Sequence, residues 1–367
     1  MSLNFEHTTL GQRVRFGAGQ AAQNLAAEVD RFNAATIMVI AGEREIDLAT
    51  RVTASIEVRV WHTEVVMHVP LDTAEKARQI ASDHDVDLLV SIGGGSTTGL
   101  AKAVALTTGI PIVAVPTTYA GSEATNVWGI TEAARKTTGV DDRVLPETVI
   151  YDSELMLSLP VDMSVASGLN GMAHCIDSLW APHANPINAA LAAEGIRALS
   201  HGLPKIVADP HDINGRDQAL YGAYLAAVSF ASAGSGLHHK ICHVLGGTFD
   251  LPHAQTHATV LPYVLAFNAA HAPQAEQRAA AAFGTNTALE GLQRLREQVG
   301  APQKLSDYGF TAAGVPEAVE IILEKLPANN PREIMKDNLT ALLTAALHGD
   351  DPATISHQPA LAGGTNR

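Results

Sequence analysis

Up to about Tyr151 the chain alternates short apolar runs with stretches in which apolar residues recur every three or four positions. The runs are Thr36–Ala41, Val58–Trp61, Leu88–Ile92 and Ile112–Val115, with Val149–Tyr151 as a closing strand. Between them, Asp47–Ser55, Thr73–Ser82 and Ser96–Thr107 carry the helical period. Such alternation predicts a parallel sheet covered by helices. Asn126–Thr131 and Lys136–Gly139 read as a hairpin excursion. Beyond Asp152 the strand-like runs stop. Alanine- and leucine-rich helical segments take over at Ser167–Trp180, Asn188–Leu199, Asp217–Ala231 and Ala254–Ala270. Pro160, Pro182, Pro186, Pro204, Pro252, Pro316, Pro327 and Pro331 are expected to start or stop these helices. The predicted architecture is an α/β domain over residues 1–154 and an all-helical domain over 155–367, with a ligand cleft between them. The tail from Gln358 is expected to fray.

Composition narrows the partners. The 367 residues hold 24 Lys+Arg against 38 Asp+Glu, a formal charge of −14 with histidine neutral. That balance argues against nucleic acid or an anionic membrane, and taken alone it also argues against an anionic substrate. Two cysteines, Cys175 and Cys242, are too few to staple a secreted fold, and Met1–Thr8 has no apolar leader, so a cytoplasmic setting is expected. The uncharged stretches 103–122 and 219–237 read as strand-and-loop and as a buried helix, because prolines, serines and tyrosines interrupt them.

Two groups of residues carry candidate chemistry. Gly93-Gly94-Gly95-Ser96 follows a buried strand and opens a helix, where backbone N–H groups and the helix dipole can receive a phosphate. The alternative is a tight strand-to-helix turn. Thr117 and Thr118 follow the next strand, so their hydroxyls are placed for a nucleotide or simply form a turn. In the helical half, Asn170 and His174 are four apart, as are His239 and His243, and His253 opens a further helix. Imidazoles from three helices suit a metal or a catalytic site, although most buried histidines are only hydrogen-bonded.

Gly93–Ser96, Pro116-Thr117-Thr118 with Gly121-Ser122-Glu123, and His239-x3-His243-x9-His253 occur in that order. Together they resemble the iron-containing (group III) alcohol dehydrogenase superfamily, from Val14–Gly17 to Asn330–Arg332. The resemblance implies a Rossmann-like dinucleotide-binding domain. It places NADH or NADPH on Gly42, Gly93, Gly94, Gly95, Ser96, Thr117, Thr118 and Ser122. It also implies that the family's metal-binding aspartate and three histidines map onto Asn170, His174, His239 and His253, and its catalytic histidine onto His243. The aspartate is missing here, and an amide oxygen brings no charge, so a bound metal is not expected.

Gly99, Tyr119–Thr125, Trp128–Glu132, Lys136–Gly139 and Pro252–Ala258 resemble one branch, the maleylacetate reductases. Members of that branch reduce the carbon–carbon double bond of maleylacetate to give 3-oxoadipate in aromatic-compound catabolism. Hydride added to a conjugated enone leaves its charge on a delocalised enolate, which hydrogen bonds can hold without a Lewis acid. His243 is then expected as general acid, with His174, His239 and His253 receiving carboxylate or enolate oxygens. Tyr119, Asn170, His238, Lys240, His257 and Arg332 are further candidates for contact with a small dicarboxylate. The histidines are expected to become partly cationic on receiving it. Rival readings are a metal-dependent alcohol or polyol dehydrogenase and a non-catalytic nucleotide sensor. A homodimer is implied by the resemblance, with the residues before Gly17 as a candidate interface strand.

Overall fold

The computed structural model describes residues 4–132 and 135–356, and the tail from Gln358 lies outside the described residues. Five strands come first in the chain: β1 (Arg13–Phe16), β2 (Ile37–Ile40), β3 (Val60–His62), β4 (Leu88–Gly93) and β5 (Ile112–Pro116). An antiparallel hairpin, β6 (Val127–Glu132) and β7 (Arg135–Val140), precedes β8 (Thr148–Tyr151). Six strands form one parallel sheet in the order β1-β8-β5-β4-β2-β3. β2, β4, β5 and β8 are buried along their whole length, as strands covered on both faces must be. Val149–Tyr151 is therefore not the closing strand; β8 is internal, and β1 forms that edge.

Four helices flank the strands: α1 (Ala21–Phe32), α2 (Ile46–Val52), α3 (Leu71–Asp83) and α4 (Gly95–Thr108). α1 is missing from the apolar pattern because it buries Asn24 and Glu28 beside Ala21 and Leu25. The Glu28 carboxylate is fully buried and pairs with Arg13 (3.2 Å), Arg15 (2.7 Å) and Arg31 (2.6 Å), and it accepts from the Thr148 hydroxyl at 2.9 Å. Charge thus fastens edge strand β1 to α1, where an apolar stripe would normally do so.

The rest of the described chain is helical: α5 (Val161–Ser178), α6 (Pro186–Ala208), α7 (Ile213–Ala233), α8 (Leu237–Phe249), α9 (His253–Ala269), and then five further helices to Ser356. α6 and α7 meet backbone to backbone. A Cβ on Gly202 would lie 2.7 Å from the Gly215 carbonyl oxygen, and one on Gly222 would lie 3.0 Å from the Leu199 nitrogen. Pro204 does not stop α6 but lies inside it. Leu203 and Ile206, both fully buried, pin the helix on either side of the lost hydrogen bond. Among the described residues no helix is long and apolar enough to cross a membrane.

Glu28 generates a stability prediction. Burial pushes its pKa up, but hydrogen bonds from Arg31 and Thr148 and the charges of Arg31 and Arg15 outweigh that and hold it below the ordinary glutamate value. A depressed carboxylate stabilises the fold above its unfolded pKa, and that contribution disappears as the pH falls through the folded pKa. Glu28→Gln is expected to cost about 3 kcal/mol at neutral pH. The melting-temperature gap to wild type should close in acid, which thermal melts across pH will show.

Candidate active site

Chain order reverses in space between β2 and β4, since β3 lies outside β2 and the chain returns to place β4 on the other side. Ligands of open α/β sheets bind at the carboxyl ends of strands at such a switch point. Gly42 follows β2 there, and Gly93, Gly94 and Gly95 connect β4 to α4. Gly93 has φ +153°, and a Cβ on it would lie 2.4 Å from the Thr97 hydroxyl oxygen, so no side chain fits. A Cβ on Gly94 would press on the Thr118 methyl at 3.0 Å, and the Thr117 N–H donates to the Gly93 carbonyl at 3.1 Å. The glycine loop and the Thr117–Thr118 loop are therefore one surface, with Ser96 in the first turn of α4. Ser122 opens the short 3-10 turn that follows. Above Gly42 sits the Glu45 carboxylate, 2.7 Å from where a Cβ would be.

The second group is built on α5 and the first turns of α8 and α9. Asn170, His174 and Asp177 occupy one face of α5 at intervals of four and three. The His174 ring stacks on His239 of α8, centroids 4.9 Å apart, and both lie against Phe230. His243, one turn further along α8, has its ring 6.1 Å from His239 and is exposed. His253 is the exposed first residue of α9 and packs at 4.4 Å on His257. The candidate histidines thus form one connected array.

Asp177 organises it and was not anticipated. Its Oδ2 accepts from His239 Nδ1 at 2.7 Å and from the Gly236 N–H at 2.9 Å, at the N-terminus of α8. A carboxylate there satisfies orphan N–H groups and meets the positive end of the helix dipole. Gly236 must be glycine, because a Cβ would lie 2.3 Å from Asp177 Oδ1. The hydrogen bond assigns the Nδ1–H tautomer to His239 and turns its Nε2 lone pair outward. Nε2 of His239, Nδ1 of His174 and Oδ1 of Asn170 are buried without a hydrogen-bond partner, which marks the place as one that receives a ligand.

Several expected contacts are corrected. Tyr119 is fully buried, and its hydroxyl accepts from Arg216 at 3.2 Å, so it cannot reach a substrate; burial pushes its pKa up to about 12. Arg332 lies beneath the last helices, stacked on Phe267 and donating to the Ile355 carbonyl. His238 and His257 are buried and bonded to each other at 2.9 Å, with Cys242 3.6 Å from His238, so they back the array and do not line the cleft. Lys240 is half-buried in the first turn of α8. Before a ligand binds, the buried histidines carry no charge. Burial, followed by mutual repulsion, holds His174, His238, His239 and His257 well below the ordinary imidazole value, so they are neutral at pH 7.

At the positions the resemblance implies for a divalent metal, Asn170 supplies a neutral amide oxygen in place of a carboxylate, beside imidazoles that are ordinary ligands of such ions, so the donor set carries less negative charge than the family's. Among the described residues, the three side chains whose ligand atoms gather within 4.8 Å of one another are His238, Cys242 and His257; His174, His239 and His253 are not such a trio.

The iron-containing alcohol dehydrogenase family model matches residues 11–153, and the C-terminal model of the Fe-containing alcohol dehydrogenase family matches 164–347. A maleylacetate reductase from Burkholderia cepacia is 45% identical over 93% of this chain and 97% of its own. The structure of an iron-containing alcohol dehydrogenase from Corynebacterium glutamicum superposes with a TM-score of 0.96 at 72% identity, covering 97% of this chain and 100% of that one. The structure of a maleylacetate reductase from Agrobacterium tumefaciens superposes at 0.90 with 39% identity, covering 95% and 99%.

Asp177→Asn tests the local arrangement. The amide still fits but presents no charge to His239 or to α8. The expected result is a loss of about 2 kcal/mol of stability. A mixture of His239 tautomers should replace the single Nδ1–H form in nitrogen-15 spectra of labelled histidine.

Proposed function

The chain belongs to the iron-containing alcohol dehydrogenase family, and we propose that within it the protein is a maleylacetate reductase. It transfers hydride from NADH or NADPH to the double bond of maleylacetate and yields 3-oxoadipate. Asn170 carries this reading. It stands where the family's carboxylate would be, one turn before His174, with its amide oxygen buried and unpartnered. Support comes from the maleylacetate reductases that this chain resembles over more than nine-tenths of its length.

The chemistry follows from the donors present. The α/β domain, residues 1–154, holds the cofactor along the Gly42, Gly93–Ser96 and Thr117–Ser122 loops, and the helical domain, 155–367, supplies the histidines. A dihydronicotinamide bound there would supply a hydride, with its two electrons, to the alkene carbon β to the ketone. The π electrons move to the enolate oxygen, and a proton then reaches the carbon next to the ketone, so one hydride and one proton balance the reaction. His243 is exposed at the array and supplies that proton. His253, at the N-terminus of α9, receives a substrate carboxylate where helix N–H groups lack internal partners. His174 steers the enolate oxygen. His239 holds its Nδ1 proton toward Asp177, and its Nε2 faces the ligand as an acceptor.

The Glu45 carboxylate over Gly42 favours a free ribose hydroxyl, and exposed Arg44 beside it tolerates a 2′-phosphate, so both cofactors are expected to work. The unpaired thiols of Cys175 and Cys242 suit the cytoplasm. A homodimer using the edge of β1 fits the ion-paired anchoring of that strand.

The decisive assay mixes maleylacetate with each reduced cofactor, with and without a chelator, and follows reduced-nicotinamide absorbance. Equal rates with and without the chelator are expected. Activity lost on chelation and restored by Fe²⁺ or Zn²⁺ would instead establish a metal-dependent reductase. His243→Ala should lower kcat by roughly a hundredfold or more while leaving NADH affinity unchanged. An unaltered kcat sinks its assignment as the acid.

A further inference from the structure

Arg216 of α7 is fully buried, and every partner the structure gives it is a neutral oxygen. Its guanidinium donates to Tyr119 Oη at 3.2 Å, Ser164 Oγ at 2.7 Å, the Leu159 carbonyl at 3.2 Å and the Pro210 carbonyl at 3.1 Å. Desolvating a guanidinium among neutral acceptors is a poor source of stability compared with an apolar side chain of the same shape. What the arrangement supplies is a fixed geometry.

The group being fixed is informative. Tyr119 follows Thr117 and Thr118 directly, on the loop that forms one surface with the glycine turn. One end of that loop is bonded to the sheet through the Thr117 N–H and the Gly93 carbonyl. Its other end is seated on the helices. Gly121 has φ +78°, and a Cβ there would lie 2.7 Å from the Ala227 methyl of α7. On α5, a Cβ at Gly171 would lie 3.7 Å from the Tyr119 carbonyl oxygen, and Gly171 is the neighbour of Asn170. The loop therefore spans the cofactor surface and the helices that bear the histidine array.

We propose that Tyr119 and Arg216 are positioning residues, which set the distance between the nicotinamide and the histidine array by clamping the Thr117–Ser122 loop to α5 and α7. This rests on the reading of the cleft as a hydride-transfer site. Hydride transfer requires the reacting carbons about 3–3.5 Å apart, and a displacement of about 1 Å is enough to slow such a step a hundredfold.

Tyr119→Phe keeps the ring and removes only the hydroxyl. NADH affinity should stay within about twofold and KM should move little, because phosphate and ribose contacts are untouched, while kcat falls about tenfold or more. The kinetic isotope effect with NADH deuterated at the transferred hydrogen should rise as the chemical step becomes limiting. The fluorescence anisotropy of bound NADH, which needs no substrate, should drop as the nicotinamide loosens. Tyr263→Phe removes another buried tyrosine hydroxyl, one that donates to the Asp350 carbonyl outside the loop, and should leave the isotope effect and the anisotropy at wild-type values. Wild-type kcat, isotope effect and anisotropy in Tyr119→Phe would overturn the proposal, as would equal changes in Tyr263→Phe, which would mean packing alone. If wild-type protein does not reduce maleylacetate, the proposed function falls by itself, and the anisotropy of Tyr119→Phe against wild type still decides this inference.

Discussion

Asp177 is a carboxylate taken almost wholly out of water between α5 and α8, and much of the site follows from how its charge is satisfied. Burial pushes its pKa up, opposed by His238 and by backbone N–H groups of Gly236, His239 and His238. Those N–H groups belong to the first turn of α8, so the interaction that relieves the carboxylate also fixes where that helix begins and how it is rotated. The rotation carries His239 toward His174 and sends His243 out to the cleft one turn later. A close approach of this kind tolerates only glycine at position 236. One electrostatic requirement thus determines a backbone conformation, a helix register and an imidazole tautomer together.

The charge count looked unfavourable for a dianionic substrate, and a cationic histidine pocket was the obvious remedy. The structure offers a second one. His174 and His239 of the array, with His238 and His257 behind it, are held neutral by burial and by one another before a ligand binds. A neutral imidazole is still a hydrogen-bond donor on one edge and an acceptor on the other, and helix N-termini supply positive potential without titrating. Binding an anion through such groups avoids gathering several full charges in a site that must also admit a neutral nicotinamide. It also leaves an enolate, whose charge is already spread, as the species best matched to the donors.

Elements with strong periodicity could be read from the sequence nearly to the residue. Leu88–Ile92 is β4 short of its final glycine, and the hairpin of β6 and β7 was visible from its paired segments. Most of the misses share a cause: polar residues doing internal work. α1 was hidden because Asn24 and Glu28 occupy its buried face. Pro204 suggested a helix end, yet large buried neighbours carry α6 through it. Tyr119 sits in a motif rich in functional groups, and its sequence context does not reveal that Arg216, almost a hundred positions later, meets its hydroxyl. Asp177 carried a usable signal, the spacing Asn170, His174, Asp177 on one helical face. Its partner lies beyond two further helices, and no local pattern reports that.

The buried polar residues fall into two kinds, and the difference says where the chain can respond to a ligand. Glu28 and Arg216 have partners that account for their burial, and Asp177 is held through its Oδ2, so they act as fixed points. Asn170 Oδ1, His174 Nδ1 and His239 Nε2 do not, and each such atom costs about 1–3 kcal/mol until something bonds to it. Asp177 holds His239 from behind, Arg216 holds the cofactor loop, and Phe230 lies against the rings of His174 and His239. A site arranged this way cannot relax to satisfy itself. The free energy stored in the unpartnered acceptors Asn170 Oδ1 and His239 Nε2 is returned only to a ligand that brings hydrogen-bond donors to those positions, which makes the selectivity of the cleft a consequence of its rigidity.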